Sequence, residues 1–139
     1  MMDHNCVFCK IIRREIPSSL VYEDDDVIAF LDIAPTAPGH TLVVPKEHHE
    51  TFLGTPKLVM HKVLDVAQRI GQVQMKKLGA LGVNVLINNY PAAGQSVAHF
   101  HVHVVPRYGK KDGLQIAMVK HLDGELNLPL VVEKIKSGL

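Results

Sequence analysis

Apolar residues recur along the chain with two periods, near 3.6 and near 2, separated by clusters of loop-forming residues. In residues 6–16 (CVFCKIIRREI), Val7, Phe8, Ile11 and Ile12 fall at near-helical spacing, and Pro17 predicts the end of that helix. Residues 19–22 and 27–32 read as strands on either side of the acidic turn Asp24-Asp25-Asp26. IAPTAPGH (33–40) reads as a loop, and TLVVP (41–45) as a buried strand ended by Pro45. The clearest helix is predicted over 56–78. Val59, Val63, Val66, Ile70 and Val73 make one apolar stripe, Thr55 stands as N-cap with Pro56 at the first helical position, and Gly79 stops the helix. Residues 82–89 (GVNVLINN) predict a strand, 90–96 (YPAAGQS) a turn-rich loop, and 98–106 (AHFHVHVVP) a strand ended by Pro106. A loop over 107–113 and a short helix over 128–137, with Pro129 near its start, complete the chain. Strands joined by short loops, with one long helix among them, predict an antiparallel sheet packed by helices: α+β rather than α/β.

Length and charge narrow the function classes. The 139 residues suit one domain, taken here as 1–139, with one core. Lys plus Arg less Asp plus Glu is 15 − 14 = +1, a balance that argues against a nucleic-acid-binding surface. No apolar run reaches the roughly 18 residues of a membrane span, and the first residues lack a basic segment followed by an apolar one. No membrane partner and a cytoplasmic location are therefore expected. Nine histidines and no tryptophan stand out. The only cysteines, Cys6 and Cys9, have the Cys-x-x-Cys spacing of half a zinc site or a redox pair.

The chemistry concentrates in His99-Phe100-His101-Val102-His103-Val104-Val105. In a strand, alternate side chains face opposite ways, so His99, His101 and His103 share one face while Phe100, Val102 and Val104 share the other. An exposed polar face would mix Thr, Ser, Lys and Glu. Three imidazoles in a row point instead to a cleft, for metal binding or for catalysis. Gly94-Gln95-Ser96 before the strand offers a Gly turn with backbone donors and a hydroxyl, and Asn88 offers an amide. Anion donors beside imidazoles favour phosphoryl chemistry over a closed metal site. His4, His40, His61 and His121 have no partner at diagnostic spacing and read as surface or local polar residues.

The segment 99–105 resembles the signature of the histidine triad (HIT) family, His-φ-His-φ-His-φ-φ with φ apolar, at every position. The resemblance runs from about residue 6 to 107 and includes FCKIIRREIPSSLVYEDDDVIAFLDIAPTAPGHTLVVPKEH and the Gly-Gln-Ser before the triad. It is strongest to the HINT branch, in bacterial-type members with Cys-x-x-Cys. It implies a HIT-like fold: a five-stranded antiparallel sheet, a long helix and a short N-terminal helix. It also implies a purine nucleotidyl hydrolase that cleaves nucleoside phosphoramidates of the AMP-lysine type through a covalent nucleotidyl-histidine intermediate. His101 is then the nucleophile. A carbonyl bonded to its far nitrogen would set the tautomer, and an imidazole near its reference pKa of about 6.5 is largely neutral at pH 7.

The same resemblance assigns His103 to the phosphate and leaving group and His99 to fixing the site. It places Ser96 and Asn88 on the phosphate and its leaving side, with Gln95 supporting the loop. Asp32 is expected to accept from the ribose hydroxyls, and Val7, Phe8, Ile11, Phe30 and Ile33 to wall the purine. Leu31 stands where some relatives carry a polar residue. A structural zinc is expected on Cys6, Cys9, His48 and His99, with His49 adjacent to His48 as a substitute. A homodimer is expected too, and Leu58, Met60 and Leu64 lie off the main stripe of the long helix. The chain departs from relatives that close the partner's site with a Trp-containing tail. Alternatives to the hydrolase are a dinucleoside polyphosphate hydrolase, a non-catalytic nucleotide- or zinc-binding module, and a zinc enzyme with all three triad histidines on the metal.

Overall fold

Val27-Ile28-Ala29-Phe30 and Leu42-Val43-Val44 are apolar at every position, the pattern of strands covered on both faces. In the computed structural model, which describes residues 3–109, 111–121 and 127–139, they form the second and third strands of a five-stranded antiparallel sheet. The elements run α1 (Val7–Ile12), β1 (Leu20–Glu23), β2 (Val27–Leu31), β3 (Thr41–Pro45), α2 (Lys57–Lys77), β4 (Gly82–Leu86), β5 (Val102–Arg107) and α3 (Leu128–Gly138). Across the sheet the order is β1-β2-β3-β5-β4, and every neighbouring pair is antiparallel. This is the α+β architecture read from the sequence. No helix among the described residues is long and apolar enough to cross a membrane.

The period of two sorts the core into two layers. Val27, Ala29, Val43, Phe100, Val102 and Val104 pack against Val63, Val66 and Ala67 of α2 on one face of the sheet. Ile28, Phe30, Leu42 and Val44 pack against Phe8, Cys9 and Ile11 of α1 and its N-cap Cys6 on the other. The register pairs Leu42 with His103, so the second layer continues directly into the histidine side of β5.

Several element boundaries differ from the expected ones, each for a local reason. The helix expected over 6–16 ends at Ile12, because Arg14 takes a left-handed φ of 65° and turns the chain before Pro17 is reached. Thr55 does not cap α2. Its hydroxyl donates to the Thr51 carbonyl at 2.7 Å, and Pro56 stands at the cap position with no side-chain bond. The C-terminal stop is as read: Gly79 has φ 73°, and the Leu78 and Ala80 amides both donate to the Gln74 carbonyl. On the α2 stripe, Val63 and Val66 are buried, but Val73 is 54% exposed, and Ala67 and Gln74 are buried instead. Gln74 earns its place by hydrogen bonding: its amide donates at 3.0 Å to the carbonyls of both Gly39 and Val104.

The strand expected over 82–89 stops at Leu86, and the one expected over 98–106 begins only at Val102. Ahead of β5 the backbone bonds outside the sheet: the Phe100 amide donates to His49 O at 2.6 Å and the His99 amide to Val97 O at 2.9 Å. The turn Asp24-Asp25-Asp26 is closed by Asp24, whose carboxylate accepts from the amides of Asp26 and Val27, both at 2.8 Å. Residue 110 of the loop expected over 107–113 lies outside the described residues. The helix expected over 128–137 is α3, capped by Asn127, and none of its residues is buried.

Candidate functional site

His99 and His101 precede β5 and His103 lies within it, yet the alternation of faces survives. Phe100, Val102 and Val104 enter the α2 core, and the three imidazoles stand on the α1 side. Phe8 of α1 meets two of them edge-on, with ring centroids 5.9 Å from His99 and 5.0 Å from His101. The His101 and His103 rings are 4.9 Å apart.

Each ring is oriented by a different bond. His101 Nδ1 lies 2.7 Å from the carbonyl of His99. A carbonyl only accepts, so Nδ1 carries the proton and the Nε2 lone pair is free. Burial pushes the His101 pKa below its ordinary value of 6.5, against the opposing pull of the His99 carbonyl and Asp32, so the ring is neutral near pH 7. His99 Nε2 donates to Pro45 O at 2.8 Å, which leaves its Nδ1 bare. That atom faces the Cys6 and Cys9 sulfurs at 3.3 and 3.6 Å and His48 Nδ1 at 3.1 Å, while Cys9 Sγ lies 3.4 Å from His48 Nδ1. Burial lowers the His99 pKa to about 4 and raises that of the Cys6 thiol.

A cleft of about 250 Å³ opens in front of these rings. Val7, Phe8, Ile11, Phe30, Leu31, Asp32, Ile33, Ser96, His101 and His103 are among the side chains that line it. One wall is apolar, and the opposite end carries a hydroxyl, a carboxylate and two imidazoles. A larger groove of about 380 Å³ lies between α2 and the β1–β3 side of the sheet. Its lining includes no His, Cys or carboxylate among the described residues, so it offers no comparable chemistry.

Residues 13–110, more than half of the chain, match the family described as HIT domain. The chain belongs to the HIT family. A crystal structure of a HIT family member from Bacillus subtilis superposes with TM-score 0.91 at 40% identity, covering 98% of each chain. A zinc-bound histidine triad family protein from Mycobacterium smegmatis superposes with TM-score 0.74 at 35% identity, over 97% of this chain and 98% of that one. Adenylylsulfatase HINT3 of Arabidopsis thaliana is 41% identical over 106 residues, 76% of this chain and 54% of that protein.

Within this HIT chain, the other residues singled out from the sequence fall in three places. Cys6, Cys9, His48 and His99 converge: one ligand atom from each lies within 4.8 Å of all the others. His49 is not in this group, and its Nε2 lies 3.0 Å from the Glu47 carboxylate. Asp32 and Ser96 reach the cleft. Asn88 and Gln95 are not among its lining residues. Asn88 packs beside Gly94, whose φ of 94° lets the chain turn there. Gln95 is buried as a brace, accepting from the Tyr90 amide at 2.7 Å and donating to Glu50 O at 2.7 Å and Val97 O at 3.0 Å. The Gly94 and Gln95 amides donate to Pro91 O and Tyr90 O, so these two backbone donors of the turn face inward, and Ser96 lines the cleft.

Sequence reasoning missed His40. It is 4% exposed, not a surface residue, and its Nε2 lies 2.9 Å from His103 Nδ1. The available signal was its position directly before the fully buried strand TLVVP, where an imidazole must find a partner. Ile16 and Pro17, read only as a helix terminus, and Ser18, given no role, also line the cleft.

Proposed function

We propose that the chain is a purine nucleotidyl hydrolase acting on the α-phosphorus of nucleoside phosphoramidates, with His101 as a covalent nucleophile. The observation that carries this reading is the His99 carbonyl 2.7 Å from His101 Nδ1, which leaves a neutral ring with a free Nε2 lone pair on the cleft. Nε2 attacks phosphorus in line, and the P–N bond breaks. The departing nitrogen takes the bonding pair and a proton drawn from solvent. Water then adds to phosphorus, the P–Nε2 bond breaks, and mononucleotide, a proton and the neutral imidazole are released. The name of the Arabidopsis relative, an adenylylsulfatase, supports adenylyl transfer as the class.

In this reading the base lies against Val7, Phe8, Ile11, Phe30 and Ile33, the ribose hydroxyls donate to Asp32, and Ser96 and His103 approach the phosphate. Asn88 stays a candidate for the leaving side, and Gln95 braces its loop. Cys6, Cys9, His48 and His99 suit a structural zinc. Bonds of about 2.3 Å to sulfur and 2.0–2.1 Å to nitrogen in a tetrahedron set ligand–ligand edges of roughly 3.3–3.8 Å. The observed N···N and S···N separations run from 3.1 to 3.6 Å. The Pro45 carbonyl already holds His99 in the ligating tautomer. The metal would supply a clamp between α1, the segment after β3 and the triad, leaving His101 free. The zinc-bound mycobacterial relative supports that assignment.

The reading includes a homodimer. β4 is an edge strand with Val85 exposed, α2, which packs on it, exposes Leu58 and Met75, and α3 exposes Leu128, Val131, Val132 and Ile135. Incubation with adenosine 5′-phosphoramidate tests the function. AMP release is expected, with an acid-labile nucleotidyl adduct on His101 by mass spectrometry. A fall of several orders of magnitude is expected in His101→Ala. Unchanged turnover in that variant would falsify the mechanism.

A further inference from the structure

Two hydrogen bonds in series end on the last triad histidine. The Thr36 amide donates to His40 Nδ1 at 3.2 Å. A backbone amide has no acceptor to offer, so His40 Nδ1 is unprotonated and the ring's proton sits on Nε2. His40 Nε2 is 2.9 Å from His103 Nδ1 and 3.6 Å from Asp32 Oδ2. The shorter contact takes the proton, and His103 Nδ1 is therefore an acceptor. His103 must then carry its own proton on Nε2, the opposite tautomer from His101 two residues earlier.

We infer that His40 is a positioning residue that locks His103 as an Nε2–H hydrogen-bond donor toward the substrate's phosphoryl group. This rests on the reading of the cleft as a nucleotidyl-transfer site. No proton is transferred in this role: His103 stabilises charge on phosphoryl oxygen while His101 attacks and is released. Burial acts in the same direction, since it depresses the pKa of both His40 and His103 and keeps both rings neutral. Without the His40 donor, a neutral imidazole is free to place its proton on Nδ1 and present a bare nitrogen to a phosphate, which repels it. A divalent cation on Asp32, His40 and His103 is the competing use of this trio. The Thr36 donor on Nδ1 favours a hydrogen bond, since it puts the His40 proton on Nε2, and a nitrogen that ligates a cation must be bare.

The test compares wild type, His40→Gln and His40→Leu, with His101→Ala as the control for the reaction itself. Imidazole 15N chemical shifts report the His103 tautomer directly. The Nε2–H form is expected in wild type and in His40→Gln, whose side chain can accept from Thr36 and donate to His103. A mixture is expected in His40→Leu. On adenosine 5′-phosphoramidate, kcat is expected to fall at least tenfold in His40→Leu with KM little changed, and to return to within about threefold in His40→Gln, consistent with loss of one preorganised donor. An Nδ1–H tautomer in wild type overturns the inference. So does a His40→Leu variant with unchanged tautomer and kcat, or an equivalent of zinc beyond the one expected on Cys6, Cys9, His48 and His99 that binds wild type and is lost in both His40 variants. Undiminished turnover in His101→Ala would remove the catalytic reading alone. The 15N spectra would still decide what His40 does to His103, including for a His40→Leu protein that melts early.

Discussion

His103 should hold off protonation well into the acid range, and the consequence for stability can be worked out. Its pKa is lowered from 6.5 to about 4, chiefly by burial, then by the neighbouring His101 and His40, with Asp32 pulling the other way. At pH 5 a free imidazole is almost wholly charged, whereas one at about 4 is charged roughly one time in ten. The folded value lies below the unfolded one, so the unfolded chain binds more protons between them. The stabilising contribution is therefore complete above pH 6.5 and is lost as the pH falls from 6.5 toward 4. Between pH 7 and pH 5 the ceiling is about 2 kcal/mol, and about 1 kcal/mol after allowance for partial exposure of the ring. Urea melts of wild type and His103→Gln at the two pH values measure it. The stability difference between the proteins should shift by about 1–2 kcal/mol against wild type at pH 5. The His103 Cε1–H resonance, followed through the same range, should titrate near 4. A ring that titrates at 6.5 in the folded protein, with a pH-independent difference between the melts, refutes the account.

Three further outcomes are expected. Phe8→Ala removes a 6%-exposed ring that packs edge-on against Phe30, His99 and His101; thermal unfolding should show a loss of about 3–5 kcal/mol, and mononucleotide titration weaker binding. Wild type should hold one zinc by metal analysis and Cys9→Ser substantially less, and chelation should lower the melting temperature and expose two titratable thiols. Gly39→Ala forces a Cβ within 2.5 Å of Leu78 Cδ1 at a φ of 97°, and denaturant melts should show a loss of about 1–3 kcal/mol.

Much of this was legible in the chain because it depends on local periodicity. The alternation through 99–105 places three imidazoles on one face and three apolar side chains on the other without any long-range information. What was hidden depends on partners far away in the sequence. His40 looked solitary because its partner, His103, is 63 residues distant. The true start of β5 was hidden because the Phe100 amide bonds to the His49 carbonyl instead of a neighbouring strand. The capping role of Thr55 failed for a local reason: the helix starts at Lys57 with Pro56 at the cap position, which leaves Thr55 one residue outside, its hydroxyl donating to the Thr51 carbonyl. The family resemblance brought Cys6, Cys9, His48 and His99 together where spacing alone left the Cys pair open between half a zinc site and a redox pair, and the histidine strand open between metal binding and catalysis.

Two-residue spacing gives the three histidines a common face, but it does not give them a common chemistry. That is decided by which ring nitrogen is already bound. The Pro45 carbonyl takes the Nε2 proton of His99 and turns its bare Nδ1 to the thiols. The carbonyl of His99 in turn takes the Nδ1 proton of His101 and leaves Nε2 bare at the cleft. In the proposed reading, ligand and nucleophile are thus joined through one residue: whatever fixes His99 also fixes the acceptor that would make His101 nucleophilic. Displacing the His99 backbone, by loss of a metal or of the Phe8 contact, should therefore impair attack on phosphorus even when His101 itself is untouched.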